Sequence, residues 1–269
     1  MYQSIIIEIK QSVAHIRFNR PEKANAFDAH FWEEFPLALQ QLSQEPSVRC
    51  IMLSGEGKNF SSGIDLSMLM GLKQEIGDIE IGRASEKVYH FIKKLQASIN
   101  AVEQCPKPVI ACIHGACVGA GVDLASACDL RYASAEAYFS VKEVDMGIIA
   151  DLGTLQRLPK IIPAGIAAEL SYTARPMNAQ EAEKYGLVNR VFENKENLLS
   201  EVQKIAEAIS EKSPLVVRGI KKTLLYSQNH HTNEGLEFIA NWNASQLMSK
   251  DVETALMAFL QKQKATFPD

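Results

Sequence analysis

Glu143, Asp145 and Asp151 lie within VKEVDMGIIADLGT, Val141 to Thr154, a stretch that is apolar on both flanks. A carboxyl group in such surroundings is ionised at a desolvation cost, kept neutral by a raised pKa, or paired with a cation. An acid whose pKa is pushed toward neutrality can exchange protons there, which makes general acid/base chemistry the reading to test. Asp145 is the expected exception, facing away into a salt bridge or a loop hydrogen bond.

Two small-residue turns are the second candidates. NFSSGIDL and GACVGAGVDL each follow a short apolar strand and lead into a predicted helix. The first N–H groups of a helix have no intrahelical partner, so two such turns brought together would offer two donors to one oxygen. That is an oxyanion hole for a carbonyl becoming an enolate. The alternative is that the small residues only allow close helix packing. Asp123 falls in the first turn of the second helix, where the dipole favours an anion, and taken alone it reads as a helix-start residue. Asp129 ends that helix or begins the next strand, and no chemistry is assigned to it.

The elements that must position these groups can be read from period and punctuation. Ile5–Lys10 and Val13–Phe18 read as a hairpin broken at Gln11 and Ser12. Asp28 reads as the N-cap of a helix from about Ala29 to Leu42, ended before Pro46. CIMLSG (Cys50–Gly55) and VIACIHG (Val109–Gly115) read as buried strands, and Ala84–Cys105 as a helix stopped by CPKP. DLRYAS and AYFSV add two short strands. From about Asn194 the pattern is helical, so an α/β core, residues 1–193, is expected before a helical region, residues 194–269.

Composition narrows the function classes. With 46% hydrophobic residues in 269, the chain can bury a large core. Its 28 basic and 32 acidic residues are interspersed, with a net charge of −4, so nucleic acid is not an expected partner. Five cysteines without CxxC spacing imply reduced core thiols. The six histidines lack metal-ligand spacing and are expected at the surface or as caps, and no metal is expected. Trp32 and Trp242 read as packing residues. Without a secretory signal pattern, a membrane-length apolar run or an SKL-type ending in ATFPD, a soluble, cytoplasmic protein is expected.

IHGACVGAGVDLASACDLRYAS followed by FSVKEVDMGIIADLGTLQRLPKII resembles the crotonase (enoyl-CoA hydratase/isomerase) superfamily. The likeness runs from RPEKANAF through NFSSGIDL to ARPMNAQEAEKYGLVNRVF. It implies a crotonase-like spiral of repeated ββα units, a C-terminal helical trimerisation region, and a homotrimer or homohexamer. It also implies an acyl-CoA thioester substrate, bound between the two glycine-containing loops, with no separate cofactor. Carried over by residue, the oxyanion donors would be the N–H groups of Ile64 and Ala120, the latter often glycine in the family. The CoA-binding set would comprise Lys23, Ala24, Ser62, Gly63, Ile64, Asp65, Leu66 and Ala120.

The trio Asp123, Glu143 and Asp151 is similar to that of the dienoyl-CoA isomerases, which convert 3,5-dienoyl-CoA to 2,4-dienoyl-CoA in fatty acid β-oxidation. Family hydratases usually have Glu at the position of Asp123 and glycine at that of Asp151. The resemblance implies that Glu143 works at C2 and Asp151 at C6, an order that could be reversed, with Asp123 orienting the pair or tuning its charge. Competing readings are an enoyl-CoA hydratase or 3,2-enoyl-CoA isomerase and, from another class, a non-catalytic crotonase-fold binding protein.

Overall fold

The computed structural model describes residues 2–268. Strands β1 (Ile5–Lys10) and β2 (Val13–Phe18) form the expected antiparallel hairpin, Ile5 opposite Phe18, turning at Gln11 and Ser12, both at positive φ. Helix α1 (Ala29–Gln44) starts where Asp28 Oδ1 accepts the Phe31 N–H at 2.9 Å. It is followed by β3 (Cys50–Gly55), α2 (Leu66–Ile76), α3 (Ile81–Gln104) and β4 (Val109–Ile113).

The turn after β4 differs from the simple strand, turn, helix reading. A further strand, β5 (Ala116–Val118), lies between β4 and α4 (Ala120–Ala127), and β6 (Leu130–Ser134) is likewise followed by β7 (Tyr138–Ser140). Then come α5 (Thr154–Ile161), α6 (Ala164–Thr173), β8 (Met177–Asn178), α7 (Ala179–Tyr185) and β9 (Arg190–Phe192), none of them anticipated as separate elements. Helices α8 (Lys195–Ser210), α9 (Pro214–Ser227), α10 (Thr232–Gln246) and α11 (Lys250–Leu260) complete the chain.

The strands build two sheets, a larger one in the order β1-β2-β3-β4-β6-β9 and a smaller one in the order β5-β7-β8. All neighbours from β2 to β9 in the larger sheet are parallel. The chain leaves a strand of the larger sheet, adds one to the smaller, and returns through helix, which is the crotonase-like spiral. After β3 that second strand shrinks to one bridge, Ser61 opposite Cys117.

Both faces of the larger sheet are covered, which is why β3 and β4 are apolar without alternation. Ile51, Leu53, Val109, Ala111 and Ile113 face the main core with α1 and α3, whereas Cys50, Met52, Ile110 and Cys112 face Leu198, Val202 and Ala206 of α8. Helix α8 is thus a layer of the α/β packing, and the helical region expected from residue 194 leaves the sheet only after it. The five cysteines are free and buried, and burial pushes the Cys50 thiol up to about 12. The histidine expectation needs correction: His114 is buried, as is most of His15, whose Nε2 lies 2.8 Å from Ser54 Oγ. Burial holds both near a pKa of about 4, so both imidazoles are neutral at pH 7. No helix among the described residues is long and apolar enough to cross a membrane.

Candidate active site

The two small-residue turns meet. Ser61 N–H donates to Ala116 O at 2.9 Å and Val118 N–H to Ser61 O at 3.0 Å, which lays one loop along the other. Gly63 makes the approach possible. Its φ is +95°, and a Cβ there would lie 2.9 Å from Val118 O and 3.3 Å from Ala120 N. Ser61 Oγ accepts the Gly63 N–H at 3.1 Å and donates to Asn25 O at 2.9 Å, while Gly119 N–H donates to Ser140 O at 2.9 Å. These bonds use the amides beside Ile64 and Ala120. Among the described residues, the Ile64 and Ala120 amides themselves have no protein acceptor, and Ala120 is the first residue of α4.

Both residues border a cavity of about 430 Å³ lined also by Lys23, Ser62, Gly63, Asp65, Leu66 and Glu143, with Leu69, Met146 and Ile148 supplying apolar wall. Of the proposed CoA-binding set only Ala24 is missing from the lining; it sits behind, its carbonyl accepting the Ser62 N–H at 3.0 Å. Asp65 has a structural task besides, capping α2 through Ser67 and receiving Arg20 Nη1 at 2.9 Å.

The three acids occupy different positions. Glu143 opens a short 3₁₀ turn, Glu143–Met146, and its carboxyl reaches the loop before α4: a Cβ on Gly119 would be 3.4 Å from Glu143 Oε1. Its Oε2 is buried without a partner. Asp123, 1% exposed, accepts the Thr154 N–H on Oδ1 at 2.6 Å, and its Oδ2 is likewise buried and unpartnered. Asp151 does not line the Glu143 cavity. It borders a second one of about 610 Å³, alongside Gln96, Asn100 and Arg157.

The acids nevertheless share one electrostatic environment. Burial, then the Asp123 and Asp151 charges, pushes Glu143 up to about 7. Burial raises Asp123 to about 6 against the pull of its hydrogen bond from Thr154, with Asp151 adding to the rise and Arg157 opposing it. Burial raises Asp151 as well. Asp145 pairs with Lys142 at the surface, and Asp129 accepts Val109 N–H and Lys221 Nζ, each at 2.7 Å. Sequence reasoning did not single out Ser61, Gly119, Ser140 or Thr154, because their contacts join segments far apart in the chain. Such an arrangement can hold a developing oxyanion while neighbouring carboxyl groups move protons near neutral pH.

Known proteins resemble this chain along most of its length. The enoyl-CoA hydratase/isomerase family matches residues 8–269. The chain is 50% identical over 257 residues to the peroxisomal Delta(3,5)-Delta(2,4)-dienoyl-CoA isomerase of Arabidopsis thaliana, covering 95% of this chain and 92% of that protein. To the mitochondrial Delta(3,5)-Delta(2,4)-dienoyl-CoA isomerase of Mus musculus it is 45% identical over 264 residues, covering 97% and 80%. Among solved structures, the enoyl-CoA hydratase of Bacillus anthracis superposes with a TM-score of 0.89 at 32% identity, covering 99% of each chain.

Proposed function

Because the chain belongs to the enoyl-CoA hydratase/isomerase family, we propose that it is a dienoyl-CoA isomerase that moves the double bonds of 3,5-dienoyl-CoA to the 2,4 positions. The observation that carries this reading is Glu143, raised to about 7 by burial and by the charges of Asp123 and Asp151, in the same cavity as the residues of two unpaired amides. The thioester oxygen accepts the Ile64 and Ala120 N–H groups. Glu143, as carboxylate, removes a C2 proton, and the negative charge spreads through the dienolate onto that oxygen. Protonated Asp151 delivers a proton to C6, at the far end of the conjugated system, and the thioester carbonyl re-forms. Solvent then returns Glu143 and Asp151 to their starting protonation states. Asp123, close enough to raise Glu143, keeps the cluster from carrying a full charge on every acid.

A hydratase needs no acid at C6, which leaves Asp151 without a task in that reading. An assay of the purified protein with 3,5-dienoyl-CoA and, separately, 2-enoyl-CoA decides between them. Isomerisation develops the absorbance of the conjugated dienoyl thioester; hydration of 2-enoyl-CoA as the faster reaction would overturn the proposal. Assembly as a trimer or hexamer belongs to the same proposal. So does the cytoplasmic location, which the free buried thiols fit through their need for a reducing compartment. The two relatives named above carry peroxisomal and mitochondrial locations in their own names.

A further inference from the structure

Asp151 stands on a segment with no regular structure, between the 3₁₀ turn at Glu143–Met146 and α5. A proton donor on such a segment is useful only if its main chain is held. The holding groups come from one stripe of α3, where Gln96, Asn100 and Glu103 recur at helical spacing. Gln96 Nε2 donates to the Asp151 carbonyl at 2.7 Å. Asn100 Oδ1 and Glu103 Oε2 receive Arg157 Nη2 at 2.6 and 2.9 Å, and Arg157 Nη1 reaches back to the Leu152 carbonyl at 3.3 Å.

The next two residues complete the clamp. Gly153 has φ +127°, and a Cβ there would fall 1.7 Å from Arg157 Nη1, so the guanidinium fills the space a side chain would need. Thr154 N–H then holds Asp123. One four-residue run therefore carries Asp151, receives the arginine and fixes Asp123.

We propose that Arg157, anchored on Asn100 and Glu103, is a positioning residue that together with Gln96 sets where Asp151 stands relative to Glu143. The inference rests on Asp151 acting at the far end of the dienolate. In this role Arg157 acts on the loop, through the Leu152 carbonyl, rather than on the substrate. Its loss therefore impairs delivery at C6 and leaves proton removal at C2, by Glu143 beside the oxyanion loop, in place.

The test separates these two steps. In Arg157→Met, kcat for isomerisation of 3,5-dienoyl-CoA should fall about 10- to 100-fold, the scale of a displaced catalytic group. KM should change by less than about threefold, as expected when uniform binding is untouched. Deuterium exchange at C2 in D₂O should stay within about threefold of wild type, since Glu143 keeps its place. Arg157→Lys, which keeps the charge but cannot reach Leu152 O, Asn100 and Glu103 together, should recover part of the rate. Gln96→Leu removes the bond to the Asp151 carbonyl without stranding Glu103, and should give the same split if Arg157→Met does not fold. Equal loss of C2 exchange and isomerisation in Gln96→Leu and in whichever arginine variants fold, or wild-type kcat in all of them, would overturn the proposal. Asp151→Asn distinguishes the levels. If it is inactive while Arg157→Met and Gln96→Leu are normal, only the positioning role falls; if it is fully active, the assignment of Asp151 falls and takes this inference with it.

Discussion

At the scale of single residues, Glu143 and Asp151 carry the sharpest tests. Asp151→Asn and Glu143→Gln keep shape and remove proton exchange, so each should lower isomerisation on the order of 10²-fold or more in steady-state assays. Their effects should not add in the double variant, because either substitution already breaks the transfer. Glu143 also has a stability signature. Its folded-state pKa is raised from 4.5 to about 7, so between those values the native chain binds more protons than the unfolded one. Stability therefore falls as pH rises through that window. Glu143→Gln should stabilise the protein above pH 7 by roughly 1–3 kcal/mol, with the gain vanishing below about pH 4.5, as thermal melts across pH would show. The apolar company of these two acids was legible in the sequence, as was the pairing of Asp145, whose carboxylate meets Lys142 three residues away. The environment of Asp123 was not, since the amide that binds it comes from Thr154, 31 residues on. The buried His114 escaped notice for a related reason: its cover is assembled by the fold and leaves no local spacing to read.

At the scale of elements, the site depends on two loops lying closer than side chains ordinarily allow. Gly63→Ala places a Cβ 2.9 Å from Val118 O in a backbone region that alanine rarely adopts, and must push the Ile64 amide away from that of Ala120. If those amides act together on the thioester oxygen, kcat should drop on the order of 10²-fold, with far-UV circular dichroism and melting still showing a folded protein. Retention of wild-type kcat would mean that their convergence is not used. Both turns were readable, because glycines and small residues punctuate two buried strands. Strand β5 was not: ACV is three residues long, flanked by glycines, and owes its extended form to β7 and the Ser61 bridge. The region from α5 to β9 was unread for the same reason, its short elements being defined by what they pack against.

At the scale of the molecule, the C-terminal helices differ sharply from α8. Helix α8 buries Leu198, Val202 and Ala206 against the sheet, whereas Gly235 is the one buried residue of α10 and Asp251 that of α11 among the described residues. The joint to the rest is narrow: Trp242 sits where a Cβ on Gly219 would be 2.6 Å from its Nε1, and Phe238 stacks on Tyr226 with ring centroids 4.4 Å apart. Beyond it Leu236, Met248, Leu256, Phe259 and Leu260 face outward, Phe259 78% exposed and Met248 89%. Burying one such side chain is worth about 1.5–3 kcal/mol, so a surface made of several favours a partner subunit over water. Sedimentation velocity at micromolar concentration should find a species of three or six chains, and a stable monomer would refute the assembly. Phe259→Glu combined with Leu256→Glu should shift the distribution toward smaller species, because each carboxylate would have to be desolvated at the contact. Helix α8 and the sheet make no use of those two residues, so the dissociated variant should keep its secondary structure. If it also keeps its melting temperature and remains fully assembled, the contact lies on another face of the molecule.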